Sequence, residues 1–221
     1  MKDRPGNVVE VLERLKAPKP GRDLAETRAV RTAFPDLRLQ VDANSAYSLK
    51  SAEALLPLDE LDLLLIEQPL DEDDLWDHRL LQARLRTPLC LDESILTARH
   101  ARQALEMGSC RVINIKAGRV GGLSEAVAIH NLCLAQNVPV WCGGMLETGV
   151  GRAANLALAA LPGFSLPGDI SATDRYYLED ITEERFSLEP GSLIHVPDRP
   201  GLGVTVKPAS VARFSLNRLS M

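Results

Sequence analysis

Asp42, Glu67, Asp92 and Lys116 each stand directly after a short apolar run, and they follow one another at intervals of 25, 25 and 24 residues. Those runs cover 37–41, 63–66, 89–91 and 112–115, with further ones at 138–141 and, more weakly, 164–166. Between them lie the amphipathic stretches SLKSAEALLPL, DDLWDHRLLQARLR, TARHARQALEMG and GLSEAVAIHNLCLAQN, so strand-like and helix-like segments alternate. Near-continuous apolar strands alternating with helices imply a parallel sheet covered by helices. An open dinucleotide-binding sheet is disfavoured, because no G-x-G-x-x-G follows the first runs and Gly118-Arg119-Val120-Gly121-Gly122 lacks that spacing. A barrel explains more. Its C-terminal strand ends converge on one mouth, so charged residues repeated at the βα period point into one pocket. A single strand-end Asp usually caps a helix, but three carboxylates and a lysine at one structural address weaken that explanation.

Such a chain needs a sizeable core, and 221 residues of which 45% are apolar and 25% charged suffice for one large domain. The net charge of -5, with scattered Lys and Arg, argues against a nucleic-acid partner and leaves a small molecule as the expected one. No apolar run approaches the roughly 18 residues of a membrane span, and the first residues, MKDRPGNVVEVLERLK, lack a signal-peptide core, so a cytoplasmic location away from membranes is expected. Cys90, Cys110, Cys133 and Cys142 form no C-x-x-C pair and sit in apolar settings, as buried free thiols do.

Three converging carboxylates with open positions make a hard oxygen site suited to Mg²⁺ or Mn²⁺, and the lack of nearby His or Cys ligands disfavours Zn²⁺. If the substrate is a carboxylate, its oxygens fill the open positions and the cation steadies the charge formed when the adjacent carbon loses its proton. A base is still required. A lysine beside a metal in a partly desolvated pocket has its pKa lowered, and strand alternation puts Lys116 and Asn114 on the same inward face. The Gly143-Gly144 pair at the next strand end permits close backbone approach to a ligand, or serves a simple turn.

The strings QVDAN (40–44), IEQPL (66–70), CLDES (90–94), NIKAGRVGG (114–122), GGMLETGVGRAAN (143–155) and LPGD (166–169) resemble the enolase superfamily. Within it they are most similar to the o-succinylbenzoate synthase and N-acylamino acid racemase group, from about residue 20 to about residue 206. The resemblance implies a modified TIM-type (β/α)₇β barrel with one Mg²⁺ on Asp42, Glu67 and Asp92 and a proton-transfer lysine at Lys116. It also implies that Asn44 and Glu93 support the metal's surroundings and that Gly144, Met145 and Glu147 line the substrate side.

The chain departs from the family pattern near its start. The family's K-x-K, two residues and P-G-x-D meets Pro20-Gly21-Arg22-Asp23 here, but the lysine positions read Leu15 and Ala17. Lys16 is the nearest candidate for the second acid/base residue, and Lys19, flanked by Pro18 and Pro20, is a weaker one. The first barrel strand and the N-terminal α+β capping domain do not fit before residue 20, so an incomplete barrel is expected. It would have an open pocket and two sheet edges that favour association, a homo-oligomer being one form of it. A truncated or wrongly started gene, a degraded relic, and a fragment completed by another polypeptide are the competing explanations.

The expected organisation is an irregular segment at 1–19 with a remnant of an early strand, the barrel at 20–175, and strands and loops packing outside it at 176–221, where Glu189-Pro190-Gly191 and Arg199-Pro200-Gly201 signal turns. The resemblance implies a lyase that dehydrates a cyclohexadiene carboxylate for menaquinone synthesis. The alternatives are a racemase of N-acylamino acids and an inactive barrel fragment. A Schiff-base enzyme using Lys116 would leave the three carboxylates without a task.

Overall fold

The computed structural model describes residues 22–216. Helix α1 (Arg22–Ala33) leads into β1 (Val41–Asp42), a 3-10 helix (Ser51–Leu61), β2 (Ile66–Glu67), α2 (Leu75–Gln82), β3 (Leu89–Leu91) and α3 (Ala98–Met107). Then come β4 (Val112–Ile115), α4 (Leu123–Ala135), β5 (Val140–Cys142), α5 (Gly149–Ala159), a short 3-10 turn (Thr173–Arg175) and α6 (Pro208–Phe214). All five strands are parallel and lie side by side in chain order. A doubly wound sheet reverses its strand order partway, whereas an unbroken order with a helix after each strand is the winding of a (β/α) barrel. A parallel bridge between Val140 and Phe164 adds the start of a sixth strand position.

The pleat sorts the strand residues into two layers. Ile66, Leu89, Leu91, Ile113, Ile115, Val140 and Cys142 pack outward against Leu81, Ala101, Ala104, Ala126, Ile129, Cys133 and Leu158 of the helices. Leu65, Cys90, Val112 and Trp141 form a separate buried cluster on the other face, where the Trp141 indole N–H donates to Cys90 Sγ at 3.3 Å. Two residues further along each strand, on that same inner face, come Glu67, Asp92, Asn114 and Gly143. The apolar layer thus forms a floor and the polar layer stands on it at the strand ends. All four cysteines are free and buried.

Local chemistry sets the helix boundaries. The Thr97 side chain accepts from His100 N at 3.2 Å to start α3, and Gly108, at φ 73°, ends it in the left-handed conformation that glycine tolerates. Asp74 caps α2 by accepting from Asp77 N. The stretch expected as a helix after the first strand is instead 3-10, with Pro57 inside it, since proline has no N–H to sustain an α-helical ladder. Helix α5 is not legible by periodicity, because Gly149 and Gly151 weaken its first turn. The strands expected beyond residue 176 shrink to isolated antiparallel bridges, Thr182 with Val206 and Glu189 with Leu193, followed by α6. Turns at Gly191 and Gly201, both at positive φ, interrupt the apolar runs before a ladder can grow. This stretch packs on α5 through Phe186, Ile194, Val196 and Val204 against Ala153 and Leu156. Among the described residues, no helix is long and apolar enough to cross a membrane.

Candidate active site

The strand register brings the predicted residues to one end of the sheet. Asp42 pairs in register with Glu67, and Glu67 with Cys90, so Asp92 lies two residues beyond Glu67 in the stagger of the sheet. Asp92 then falls beside Asn114, and Lys116 beside Gly143. Glu67 and Asp92 are each 2% exposed. Glu67 Oε1 accepts from Asn114 Nδ2 at 2.8 Å, and Asp42 Oδ1 accepts from Asn44 N at 3.0 Å. Lys116 Nζ donates to Asp92 Oδ2 at 2.5 Å, while the Arg119 guanidinium donates to Asp92 Oδ1. Glu93 Oε2 and Asn114 Oδ1 are buried without a hydrogen-bond partner.

Electrostatics within this cluster are unbalanced. Burial, together with the charges of Asp42 and Asp92, holds the Glu67 carboxyl well above the usual carboxylate range. Asp42 is raised chiefly by burial, with Asp92 adding to it, and Glu93 is raised by burial and by Asp92. Lys116, expected to have its pKa lowered beside a metal, shifts in the opposite direction with Asp92 as its partner. Burial does favour its neutral amine, but the charge of Asp92, its hydrogen bond and the charge of Glu67 outweigh that loss of hydration and raise the pKa. The contact with Asp92 thus favours the ammonium form of Lys116.

Among the described residues, no three His, Cys, Asp or Glu side chains stand close enough together to form an assembled metal site. Both Asp92 oxygens are taken by Lys116 and Arg119. In chemistry and in charge the residues still suit a hard divalent cation. The donors are all carboxylate oxygens, two of them on groups whose ionisation burial and mutual repulsion oppose.

The β5 end closes the site on the other side. A Cβ on Gly143 would stand 2.5 Å from Lys116 Cε and would also meet Asn114 Oδ1, so only glycine lets the Lys116 chain lie across this strand end. Gly144 N donates to the Asp169 carboxylate. Met145 is 49% exposed, whereas Glu147 is occupied: its Oε2 accepts from Met145 N and its Oε1 from Asn155 Nδ2, both at 2.8 Å. Glu147 thereby ties the loop to α5, and Asn44 lies exposed beside Asp42. Lys16 and Lys19 fall outside the described residues. Sequence reasoning missed Arg119, whose only signal was a position one turn beyond Lys116, and Gln68, which carries no charge to draw attention.

This parallel order, with its acidic and basic strand ends, is matched by the enolase C-terminal domain-like family over residues 8–210, and the chain belongs to that family. Among curated relatives it is 55% identical over 197 residues to the o-succinylbenzoate synthase of Geobacillus kaustophilus, covering 89% of this chain and 52% of that protein. It is 56% identical over 191 residues to the N-succinylamino acid racemase of Amycolatopsis sp, covering 86% of this chain and 51% of that one. A crystal structure of an enolase-superfamily member from Enterococcus faecalis V583 superposes with a TM-score of 0.84 at 48% identity, over 89% of this chain and 53% of the other. The chain spans about half the length of the curated relatives it matches.

Proposed function

We propose that this chain carries the catalytic face of a Mg²⁺-dependent lyase of the o-succinylbenzoate synthase kind. One observation supports this most: Asp42, Glu67 and Asp92 occupy successive strand ends on one face, with Lys116 on the next. Asp42, Glu67 and Asp92 are the residues proposed to hold the cation, Mg²⁺ or Mn²⁺, with Glu93 and Asn44 beside them. Bound there, the cation supplies positive charge opposite the carboxylate of a small-molecule substrate as negative charge builds on its oxygens.

The chain's own residues manage the proton. Lys116 Nζ stands at the acidic strand ends, where its bond to Asp92 fixes the place at which a proton would be given or taken. When Asp92 is drawn away from Lys116, the ammonium loses the partner that raises its pKa, and burial then favours the neutral amine able to take the proton next to the substrate carboxylate. As the carbon–carbon double bond forms, the hydroxyl on the neighbouring carbon leaves and takes back the proton that Lys116 holds, departing as water to complete the dehydration. Lys16 is the proposed second lysine, and the loop of Gly144, Met145 and Glu147 the proposed wall against the rest of the substrate.

The identity to the Amycolatopsis racemase supports a second reading, in which the same proton returns to the opposite face of an N-succinylamino acid. Assaying both reactions with Mg²⁺ separates the two. Lys116→Ala should abolish whichever occurs, and turnover retained in that variant would refute the role of Lys116.

A further inference from the structure

Gln68 directly follows Glu67, one of the two most buried carboxylates of the cluster, carries no charge, and is 0% exposed. Its backbone sits at φ 34°, a conformation that costs a non-glycine residue free energy and persists only where the surroundings enforce it. The enforcing bonds reach all three acidic strand ends. On the β1 side, Gln68 O accepts from Ser45 N at 2.7 Å, just past Asp42. On the β3 side, Gln68 Oε1 accepts from Asp92 N at 2.9 Å and from Ser94 N at 3.2 Å, while Gln68 N donates to Cys90 O at 2.8 Å. Its amide nitrogen donates to Ser94 Oγ at 2.8 Å and to Leu70 O at 3.2 Å, so both ends of the side chain are used.

We infer that Gln68 is the positioning residue of the acidic cluster, a neutral clamp that sets the separation of Asp42, Glu67 and Asp92 and so the affinity for a divalent cation. The inference rests on the cation reading above. A neutral amide suits the task. It supplies an acceptor for two backbone N–H groups and a donor for two oxygens without adding charge beside carboxylates that already repel one another. A buried glutamine serving packing alone would satisfy its side chain within one loop; this side chain joins its own loop to that of β3, while the strained backbone it holds offers its carbonyl to the β1 loop. The next layer out is also tied, since Leu70 N donates to His78 Nε2 at 3.2 Å and His78 Nδ1 meets Asp74 O at 2.6 Å.

The test combines amide hydrogen exchange with Mn²⁺ titration by calorimetry and electron paramagnetic resonance, on the full chain. In Gln68→Met, the amides of Asp92 and Ser94 should lose protection even without metal, and Mn²⁺ affinity should fall by about 10- to 100-fold. Ser94→Ala, which removes a single donor–acceptor pair and leaves Asp92 N on Gln68 Oε1, should keep the affinity within about threefold of the native chain, a margin of roughly 0.65 kcal/mol. Should Gln68→Met not fold, Gln68→Glu keeps the acceptor, and protection at Asp92 and Ser94 must persist in it. Unchanged exchange in Gln68→Met, lost protection in Gln68→Glu, or an unchanged Mn²⁺ affinity in Gln68→Met would overturn the clamp. Failure of the native chain to bind Mn²⁺ would overturn the cation reading first, and the clamp with it.

Discussion

Two buried polar clusters lie within this fold, and they are built on opposite principles. Around α5, Arg152 Nη1 pairs with Asp180 Oδ2 at 3.4 Å and Arg152 Nη2 donates to Glu147 O at 3.0 Å, with both side chains of the ion pair nearly inaccessible. The other Asp180 oxygen accepts from Gly149 N and Ile181 N, and Glu147 uses both its oxygens on the same loop and helix. That cluster closes on itself. The cluster at the strand ends does not: its carboxylates repel one another, Glu93 Oε2 and Asn114 Oδ1 have no partner, and one aspartate takes both nearby cations. Buried polar groups are normally satisfied, so unsatisfied ones mark a place kept for something else.

Substitutions should separate the two kinds sharply. Arg152→Ala strands the Asp180 charge in the interior and should cost about 3–5 kcal/mol in a denaturant titration, the largest loss expected. Gly143→Ala forces a methyl against Lys116 and Asn114, and about 1–3 kcal/mol of stability should go with it, together with turnover beyond what the lost folded fraction explains. Glu67→Gln should act in the reverse direction. It keeps the acceptor for Asn114 while removing a buried charge, so the metal-free chain should gain about 0.5–2 kcal/mol while losing its cation affinity. A destabilised metal-free Glu67→Gln would place the two clusters in one class and remove the distinction.

The smallest effect concerns His78, whose pKa is lowered because burial disfavours the imidazolium more than Asp74 and Asp71 favour it. Its folded value lies below the unfolded one of about 6.5, so the unfolded chain takes up the proton first. Stability should be full above about pH 6.5 and decline as the pH falls through and below that value, and the decline should flatten in His78→Gln. Melting curves of the two proteins between pH 7.5 and about 5 would check it. Equal slopes would mean that His78 takes up its proton alike in the folded and the unfolded chain.

Much of this arrangement is legible in the amino-acid sequence. The strands at 89–91 and 112–115 fall where the apolar runs predict them, because Leu, Cys, Val and Ile, broken only by the inward Asn114, leave little freedom, and the regular spacing of charged ends follows from one βα unit repeating. The acidic ends are visible because a carboxylate at the close of an apolar run is costly without purpose. What escapes is relational. The ammonium character of Lys116 depends on Asp92 across a register that no single strand displays. Arg119 comes back toward Asp92 only because the chain turns after Lys116, where Arg119 N donates to Lys116 O at 3.0 Å. Gln68 and the Arg152–Asp180 pair join residues 24 and 28 positions apart through uncharged or ordinary-looking positions.

The central claim is that the open cluster is a divalent-cation site, and calorimetric Mg²⁺ titration of the chain alongside Asp42→Asn, Glu67→Gln and Asp92→Asn tests it most directly. One cation per chain should bind, and each substitution should weaken it at least tenfold, about 1.4 kcal/mol or more. No binding by the native chain, or binding that all three variants retain, would contradict it.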